Sequence, residues 1–421
     1  MGKILITPSK LSGEILIPPS KSISHRAIIC ASLCKKNRIS IVDNIILSDD
    51  INSTITGIEN LGVKIEKLKQ VDDRYKLIIQ REKDFIELAD INCLESGSTL
   101  RFLIPISTLF SNKTIFEGKG RLADRSLDTY YKIFDRQGIS YSNVDGRLPL
   151  TIKGSLKSGD YCVDSNVSSQ FLTGLLFTLP LLTGDSKIYV SGNLESRGYI
   201  DLTIDTLDKF GIKVQNDNYS IFSINGNQKY HNSNFIVESD YSQAAFFLIA
   251  NELGSNIDVK GLLDTSKQGD KKIIEIINDI NNLKTDLYEV DASQIPDLVP
   301  ILAVYFSLQN GLKTHIKNAK RLRFKESDRL NAIATQLNLL GADLTELEDG
   351  LIINGKEALK GGCSVSSIND HRIAMALAIA ATRCNQDIEL DSFEAINKSY
   401  PNFFNDYRDI GGIFYELDMG K

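Results

Sequence analysis

Basic side chains stand where predicted helices begin, which is the unfavourable end of a helix for a cation. The stretch IPPSKSISHRAIICASL has the spacing of an amphipathic helix, and Ser20, Ser22 or Ser24 could cap it. Lys21 and Arg26 lie at or inside its first predicted turn. The helix dipole disfavours each cation there by several tenths of a kcal/mol, roughly. Free N–H groups at a helix start bind anions, so the pattern predicts a negatively charged ligand.

The same combination recurs in four further stretches of the chain. Helices are predicted to begin near Ser98, at Ser168-Ser169, near Glu326 or Ser327, and near Asn369, with these polar residues in or beside their first turns: Arg101, Gln170, Arg323, Lys325, Arg329, His371 and Arg372. Singly, each has an ordinary explanation, such as a helix cap, an i,i+3 ion pair between Arg329 and Glu326, or a half-buried Arg101 that reaches solvent. Together they indicate helix starts that converge on one polyanionic ligand.

Two carboxylates among these cations could carry protons. Asp297 follows a proline at the start of an apolar stretch, and Glu326 follows Lys325 directly. Nearby cations keep such carboxylates ionised, whereas burial raises their pKa. The sequence therefore predicts a pair of groups suited to acid and base catalysis.

The composition limits the class of ligand. The chain has 421 residues, a formal net charge of −6 and no Trp, whereas nucleic-acid binding favours a basic stripe with interleaved aromatic side chains. The six cysteines form no CxxC pair, and no zinc-like spacing of Cys and His occurs. The N-terminus lacks a signal-peptide core, and the apolar run FLTGLLFTLPLLTG is too short to cross a bilayer. We expect a cytoplasmic protein without a metal, a nucleic-acid partner or a membrane partner.

A helix, a C-terminal cap residue and an alternating strand follow one another repeatedly along the chain. The cap positions are spaced by about 70 residues, and they are Gly62, Gly138, Gly211, Asn282, Gly341 and Gly411. This order is common in any α/β protein, but its even spacing favours six mixed α/β units. We predict an N-terminal lobe at 19–236 and a C-terminal lobe at 1–18 plus 237–421, with three units each and a crossing within 234–240.

Eight short motifs then occur in a characteristic order: PSKSISHRA, ESGSTLRF, VSSQF, ESRGYID, IPDLVP, RFKESDRL, NDHRIAMA and NKSYPNFF. With them the chain resembles, over its full length, the 5-enolpyruvylshikimate-3-phosphate synthases (3-phosphoshikimate 1-carboxyvinyltransferases). The resemblance implies an α/β fold of two lobes, each of three βαβαββ units, in an inside-out α/β barrel that closes on its substrates. It also implies transfer of the enolpyruvyl group of phosphoenolpyruvate to the 5-hydroxyl of shikimate 3-phosphate, in the pathway to aromatic amino acids.

The resemblance assigns roles to residues, motif by motif. The residues that would bind shikimate 3-phosphate are Lys21, Ser22, Arg26, Ser168, Ser169, Gln170, Ser196, Tyr199, Asp297 and Lys325. Those that would bind phosphoenolpyruvate are Lys21, Gly97, Arg101, Arg125, Gln170, Arg329, Arg372 and Lys398. Asp297, Glu326 and Lys21 would be catalytic, with either Asp297 or Lys21 taking the first proton. The family needs no metal or organic cofactor, and we expect a monomer.

Three positions depart from the pattern most common in this family. Residues 95–102 read ESGSTLRF where Asn-Ala-Gly-Thr-Ala-Met-Arg-Pro is frequent, Arg125 is followed by Ser126 instead of Pro, and Arg321 replaces an Asn. These changes leave the charged groups in place, but they alter the surroundings of the phosphoenolpyruvate pocket and of glyphosate, which occupies that pocket in the family.

Three rival functions remain open from the sequence. The sister carboxyvinyl transferase, which acts on a UDP-aminosugar, carries a reactive Cys on a loop that here reads SNKTIFEGKGRLADRS, without Cys. A non-catalytic sensor of a phosphorylated metabolite would not need Asp297 and Glu326. A nucleic-acid end-processing relative conflicts with the acidic net charge.

Overall fold

The computed structural model describes residues 2–164, 168–192 and 194–417. The chain divides into two compact units, Met1–Pro18 with Ser239–Lys421, here called the discontinuous unit, and Pro19–Glu238, here called the continuous unit. The lobes predicted at 19–236 and at 1–18 plus 237–421 have nearly the same limits, and they stay a prediction about independent domains.

Twelve α-helices lie within the described residues: α1 (Lys21–Ser32), α2 (Asp49–Glu59), α3 (Gly97–Phe110), α4 (Asp128–Gln137), α5 (Ser169–Thr178), α6 (Arg197–Lys209), α7 (Tyr241–Glu252), α8 (Lys272–Asn281), α9 (Val299–Ser307), α10 (Arg329–Leu339), α11 (His371–Ala381) and α12 (Phe403–Asp409). Short 3-10 helices occupy Gly120–Leu122, Leu179–Leu181, Gly269–Lys271, Pro296–Leu298, Lys320–Phe324 and Phe393–Lys398. Within these described ranges, no helix has the length and apolar character needed to cross a membrane.

The same residues contain 22 strands: β1 (Lys3–Thr7), β2 (Ser12–Leu16), β3 (Ile39–Ile46), β4 (Val63–Lys69), β5 (Arg74–Arg81), β6 (Ile86–Asn92), β7 (Ser111–Glu117), β8 (Ser140–Val144), β9 (Arg147–Lys153), β10 (Asp160–Asp164), β11 (Ser186–Ser191), β12 (Gln215–Asp217), β13 (Ile221–Ile224), β14 (Asn234–Ile236), β15 (Asn256–Lys260), β16 (Leu287–Asp291), β17 (Lys313–Lys317), β18 (Leu344–Leu347), β19 (Gly350–Asn354), β20 (Ser364–Ser366), β21 (Ile388–Asp391) and β22 (Ile413–Leu417).

Three four-stranded sheets of one design make up the continuous unit. Their strand orders are β14-β3-β5-β4, β6-β7-β9-β8 and β10-β11-β13-β12. In each sheet the first two strands are parallel and the remaining pairings are antiparallel. A helix joins the parallel strands of the second and third sheets, as a parallel connection requires. In the first sheet the opening strand β14 comes from the far end of the unit's chain and pairs with β3.

The discontinuous unit repeats this design less completely. The sheet β16-β17-β19-β18 is complete, and the sheet β20-β21-β1-β22 borrows β1 from the N-terminus, which pairs antiparallel with β21 and β22. Among the residues that the structure describes, the third sheet contains just β15 and β2, which are parallel. Of the six predicted βαβαββ units, one therefore lacks its antiparallel hairpin.

The missing hairpin follows the one predicted cap that is not glycine. The five cap glycines all have a positive φ, between 69° and 95°, which lets the chain turn out of the helix. Asn282 instead ends α8 with a φ of −105°, so the left-handed conformation predicted for it is wrong. The strand after it, β16, pairs in parallel with β17 and belongs to the next sheet.

Each unit has its own hydrophobic core around a few strongly buried helices. Every residue of α9 and α11 is buried, and these helices pack on each other and on α7. In the continuous unit α3 packs on α5, and both are buried over most of their length. A helix that is apolar on all sides belongs in a core. The core therefore holds these helices in place, together with the polar residues at their N-termini. Across the described residues, the six sheets share no strand and do not close into one barrel.

Candidate active site

The predicted helix starts are correct to within one to three residues. The helix α1 begins at Lys21, after Ser20, so Arg26 lies in its second turn and not its first. The helix α3 begins at Gly97, which puts Arg101 in the second turn as well. The helix α5 begins at Ser169, and the backbone N–H of Gln170 donates to the Ser168 Oγ at 3.3 Å.

The two predicted starts in the discontinuous unit lie later than expected because aspartates cap them. The helix α10 begins at Arg329, capped by Asp328, and not near Glu326 or Ser327. The helix α11 begins at His371, capped by Asp370, and not at Asn369. An aspartate is a strong N-cap because its carboxylate accepts from the free N–H groups of the first turn.

Arg26 of the continuous unit is buried and donates to neutral oxygens. Its Nε donates to the Thr203 Oγ1 at 2.9 Å, and its two terminal nitrogens donate to the carbonyls of Ser22 at 2.7 Å and Tyr199 at 2.9 Å. Its guanidinium also lies over the Tyr199 ring. Burial lowers the pKa of Arg26 to about 10, which leaves it positive at neutral pH. These contacts bring three predicted ligands of shikimate 3-phosphate together.

Lys21 lies at the very start of α1 and forms an ion pair with Asp50 of α2. Its Nζ is 2.8 Å from the Asp50 Oδ2, and both side chains are less than one fifth exposed. Asp50 was not among the predicted site residues. It holds the ammonium group at the positive end of α1, where the dipole alone would disfavour a cation.

Arg101, Arg125 and Gln170 converge over Gly97 at the start of α3. A Cβ atom at position 97 would lie 3.0 Å from the Arg101 Nη1, 3.1 Å from the Arg125 Nη1 and 3.2 Å from the Gln170 Oε1. The Arg101 Nη1 donates to the Gln170 Oε1 at 2.9 Å, and the Gln170 Nε2 donates to the Ser98 Oγ at 3.0 Å. Two guanidinium groups above a glycine at a helix start form an anion-binding arrangement.

Ser196 and Ser169 complete the predicted set in this unit. Ser196 precedes α6 with a φ of +57°, a left-handed conformation that is rare for a residue with a side chain. It is 1% exposed, and its Oγ has no hydrogen-bond partner among the described residues. Ser169 is buried as the first residue of α5. Backbone strain of this kind is concentrated at functional sites.

Arg329 of the discontinuous unit binds three carboxylates and is 1% exposed. Its Nη1 donates to the Asp297 Oδ1 at 2.8 Å, and its Nη2 to the Glu326 Oε2 at 2.6 Å. Its Nε donates to the Asp370 Oδ2 at 2.8 Å. Burial alone would lower the pKa of this guanidinium, but the three carboxylates raise it above its usual range. The i,i+3 pair with Glu326, suggested as an ordinary surface contact, is one part of this buried cluster.

Asp297 is held by a second arginine and approached by a lysine. The Arg372 Nη2 lies 3.0 Å from the Asp297 Oδ2, and its Nη1 donates to the Asp297 carbonyl at 3.1 Å. The Lys325 Nζ is 3.9 Å from the Asp297 Oδ1. Burial lowers the pKa of Lys325 to about 8, although Asp297 acts in the opposite direction.

Lys398 and a second buried aspartate stand at the edge of this cluster. The Lys398 Nζ donates at 2.6 Å to the carbonyl of Asn369, just before α11. Asp270 is 5% exposed and accepts a hydrogen bond from the Ser242 Oγ in the first turn of α7. Burial raises the pKa of Asp270 to about 7, and the negative charge of Asp297 adds to the effect.

Sequence reasoning missed Asp50, Asp270 and Asp370. Asp370 lies inside the quoted motif NDHRIAMA, but an Asp before a helix was interpreted only as a cap. It is a cap, accepting from the Arg372 N–H at 2.9 Å, and it also binds Arg329. Asp50 and Asp270 carry no local signal, because each meets its partner through packing of distant segments. Among the described residues, no group of three or more His, Cys, Asp and Glu side chains is placed to hold a metal ion.

One unit thus presents guanidinium, ammonium and amide groups at helix starts, and the other presents carboxylates bound to cations. This chemistry is that of an enzyme that binds anionic substrates and moves protons. The sequence profile of the EPSP synthase (3-phosphoshikimate 1-carboxyvinyltransferase) family matches residues 5–407. The chain belongs to this family.

Curated relatives and solved structures agree with the family match. The 3-phosphoshikimate 1-carboxyvinyltransferase of Clostridium novyi is 50% identical, and that of Clostridium botulinum (strain Alaska E43) is 49% identical, each aligned over 100% of both chains. A solved EPSP synthase from Acinetobacter baumannii superposes with a TM-score of 0.78, at 23% identity, over 99% of this chain and 100% of that chain. The structural match confirms the predicted α/β class.

Proposed function

We propose that this chain transfers the enolpyruvyl group of phosphoenolpyruvate to the 5-hydroxyl of shikimate 3-phosphate and releases phosphate. Family membership and two relatives of about 50% identity that carry this activity in their names support the proposal. Shikimate 3-phosphate and phosphoenolpyruvate are then its small-molecule substrates, and the residues predicted for each substrate are the proposed contacts.

The observation that carries the chemistry is the position of Asp297 between Arg329 and Arg372. A carboxylate held by two guanidinium groups is a weak base, because opposite charges favour its ionised form. Both arginines are also proposed ligands of phosphoenolpyruvate. When the anionic groups of the substrate take these guanidinium groups, Asp297 loses two stabilising partners. Its affinity for a proton rises at the moment when the 5-hydroxyl must be deprotonated.

The reaction then proceeds by addition and elimination. The 5-hydroxyl oxygen forms a bond to C2 of phosphoenolpyruvate as Asp297 or Lys21 accepts its proton, and Glu326 delivers a proton to C3. The resulting tetrahedral intermediate expels phosphate from C2, while Glu326, which gave up its proton in the addition, takes one back from C3 and the C2–C3 double bond is restored. The Glu326 carboxylate accepts from the Arg329 Nη2 at 2.6 Å, which fixes its orientation.

Bringing two phosphorylated carboxylates together requires compensation of their negative charge. At about 4 Å, two unit charges repel by ~4 kcal/mol in surroundings of intermediate dielectric constant. Hydrogen bonds to protein oxygens hold Arg26 and Arg101 in place, so little reorganisation of these two groups is needed when the anions bind. The same cations orient both substrates and stabilise the charge on the departing phosphate.

Phosphate release from the purified protein tests the proposal. We expect release only when shikimate 3-phosphate and phosphoenolpyruvate are both present, and a loss of about 10³-fold in kcat in Asp297→Asn, which keeps the side-chain shape but removes the charge. The exposed Asp343 of the same unit gives the matched control Asp343→Asn, which should retain wild-type activity. Binding of both ligands without phosphate release would favour a sensor and refute the proposed transfer.

We also propose that the chain works as a monomer in the cytoplasm. All proposed contacts come from one chain, and the six cysteines, four of them buried, are free thiols, as expected in a reducing compartment. Light scattering coupled to size exclusion would test the monomer, and a dimer of fixed mass at nanomolar concentration would contradict it.

A further inference from the structure

A chain of buried polar side chains lies beneath the start of α3, and no assigned substrate contact includes it. The His25 Nδ1 is 2.8 Å from the Thr54 Oγ1, and the Thr54 Oγ1 is 2.6 Å from the Thr99 Oγ1. The Thr99 Oγ1 lies 2.8 Å from the Oγ of Ser96, the N-cap of α3. All four residues are 0% exposed.

The direction of the two hydrogen bonds that link His25, Thr54 and Thr99 follows from the number of hydrogens that each group can donate. A hydroxyl donates one hydrogen, and the Thr99 hydrogen goes to the Ser96 Oγ or to the Asp50 carbonyl oxygen. In either case the Thr99 oxygen accepts from Thr54. Thr54 in turn accepts from His25, which must then carry its proton on Nδ1. Burial, together with the charges of Lys21 and Arg26, lowers the pKa of His25 well below its usual value, so the imidazole group of His25 stays neutral.

The chain closes into a ring through Asp50. The Thr99 Oγ1 lies 3.4 Å from the Asp50 carbonyl oxygen, and the Asp50 carboxylate binds Lys21 at 2.8 Å. Lys21 and His25 are both in α1, Asp50 and Thr54 are both in α2, and Thr99 is in α3. Two residues of α2 therefore connect α3 with α1. Asp50 contacts Thr99 and Lys21, and Thr54 contacts Thr99 and His25. Buried hydrogen bonds of this kind specify one geometry, because each unmade bond leaves a desolvated polar group.

We propose that His25, Thr54 and Thr99 are positioning residues that hold Gly97 and Arg101 at the correct place relative to Lys21. None of the three touches substrate in the proposed assignment. The inference rests on the proposed function, because it supposes that Gly97 and Arg101 bind phosphoenolpyruvate. Since these two residues are assigned to phosphoenolpyruvate alone, disturbing the ring affects that substrate more than shikimate 3-phosphate.

Steady-state kinetics of Thr54→Val test this. Valine keeps the shape of threonine but leaves His25 and Thr99 without their partner, at the cost of about one hydrogen bond at each. We expect KM for phosphoenolpyruvate to rise about tenfold, while KM for shikimate 3-phosphate changes less than about threefold. Thr54→Ser restores the hydroxyl and should restore KM. Thr99→Val cuts the ring at its other end and should give the same split, which keeps the test valid should Thr54→Val fail to fold.

Thr206→Val is the matched control. Thr206 is a buried threonine of the same unit whose hydroxyl donates within α6, to the Leu202 carbonyl. It should lower the melting temperature without changing either KM. If Thr54→Val and Thr99→Val also lower only the melting temperature, the ring is purely structural and the inference is wrong. If the wild-type protein releases no phosphate, the proposed function fails first, which is a different result.

Discussion

The arginines of the two units donate to different kinds of oxygen atom, although the two units are built from similar helices and sheets. In the continuous unit, Arg26 and Arg101 donate to hydroxyl, carbonyl and amide oxygens. In the discontinuous unit, Arg329 and Arg372 donate to carboxylates. A cation bound by neutral oxygens keeps its charge for a ligand, whereas a cation bound by carboxylates neutralises them and orients them. Under the proposed function, the arginines of the continuous unit serve anion binding alone, whereas those of the discontinuous unit also orient the carboxylates that would move protons.

Arg329→Met should have the largest effect, because it leaves three carboxylates of the discontinuous unit without their shared cation. Removing one partner of a buried ion cluster lowers the free energy of unfolding by about 3–5 kcal/mol, and kcat should fall by at least about 10³-fold. Urea unfolding and phosphate release measure the two effects. Arg323→Met is the control, because Arg323 pairs with Asp328 and Glu346 at a more exposed position, and should cost about 1 kcal/mol or less. Equal stability losses in both variants would contradict the contrast between the units.

Asp270→Asn should change how stability depends on pH. Between about pH 4 and 7 the folded protein keeps a proton on Asp270 that the unfolded chain has released, because the folded pKa is about 7. The free energy of unfolding therefore falls as pH rises through this window, by up to about 1.4 kcal/mol per pH unit. Asparagine cannot titrate, so the variant should show a flatter profile.

The groups that face Asp270 are Ser242, Asp240, Asp297 and Arg372. Ser242→Ala removes a hydrogen bond to the carboxylate but leaves Asp270 titratable, so its profile should keep the downward slope. Urea unfolding at intervals from pH 4 to 8 compares the variants. A wild-type profile as flat as that of Asp270→Asn would refute the assignment of this slope to Asp270.

Arg125→Gln tests the continuous unit, where losing a cation should cost binding and not stability. Its Nε has no hydrogen-bond partner among the described residues, and its Nη1 lies 3.1 Å from the position that a Cβ atom would take at Gly97. We expect KM for phosphoenolpyruvate to rise about tenfold or more, with the free energy of unfolding within about 0.5 kcal/mol of wild type. The exposed Arg136 on α4 provides Arg136→Gln, which should change neither quantity. A stability loss as large as that of Arg329→Met would remove the distinction between the units.

Lys325 should give the smallest effect, which is a decline of kcat/KM at high pH. The profile of kcat/KM reports groups of the free enzyme, and burial lowers the pKa of Lys325 to about 8. The ammonium group loses its proton above that pH, so kcat/KM should decline there. Lys325→Arg keeps the charge at higher pH and should move the decline upward, even if its maximum is lower. An unchanged decline in this variant would assign it to another group.

The sequence was sufficient for the features that depend on neighbouring residues. Cap glycines marked five helix–strand junctions, and polar residues marked the starts of α1, α3, α5, α10 and α11 to within three residues. Pairing between distant segments left no such mark. The strand β14 pairs with β3, and β1 pairs with β21, although the two strands of each pair are far apart in the sequence. These pairings, and the lack of a hairpin after α8 among the described residues, depend on contacts that no local pattern encodes.

The candidate site shows the same limit. Arg329 and Asp297 were predicted as separate members of a site, but their direct contact was not. The network of His25, Thr54 and Thr99 joins three helices whose sequences contain only ordinary core and cap residues. Residues proposed to contact a ligand can be recognised in the sequence, because they are cations at helix N-termini, where cations are unfavourable. Residues that hold them are typical of any buried core, so only the packed structure identifies them.

The insertion of β1 between β21 and β22 has a consequence for biosynthesis on the ribosome. Every residue of the continuous unit has emerged once Glu238 leaves the exit tunnel, so this unit can fold while translation continues. The strand β1 cannot pair until its two neighbours, β21 and β22, have been made, and β22 ends at Leu417. With about 180 residues still to be made at ~5–20 per second, β1 stays without its sheet for on the order of 10–40 s. Nascent chains are therefore expected to expose the KILIT segment of β1 to chaperones until β21 and β22 have been made.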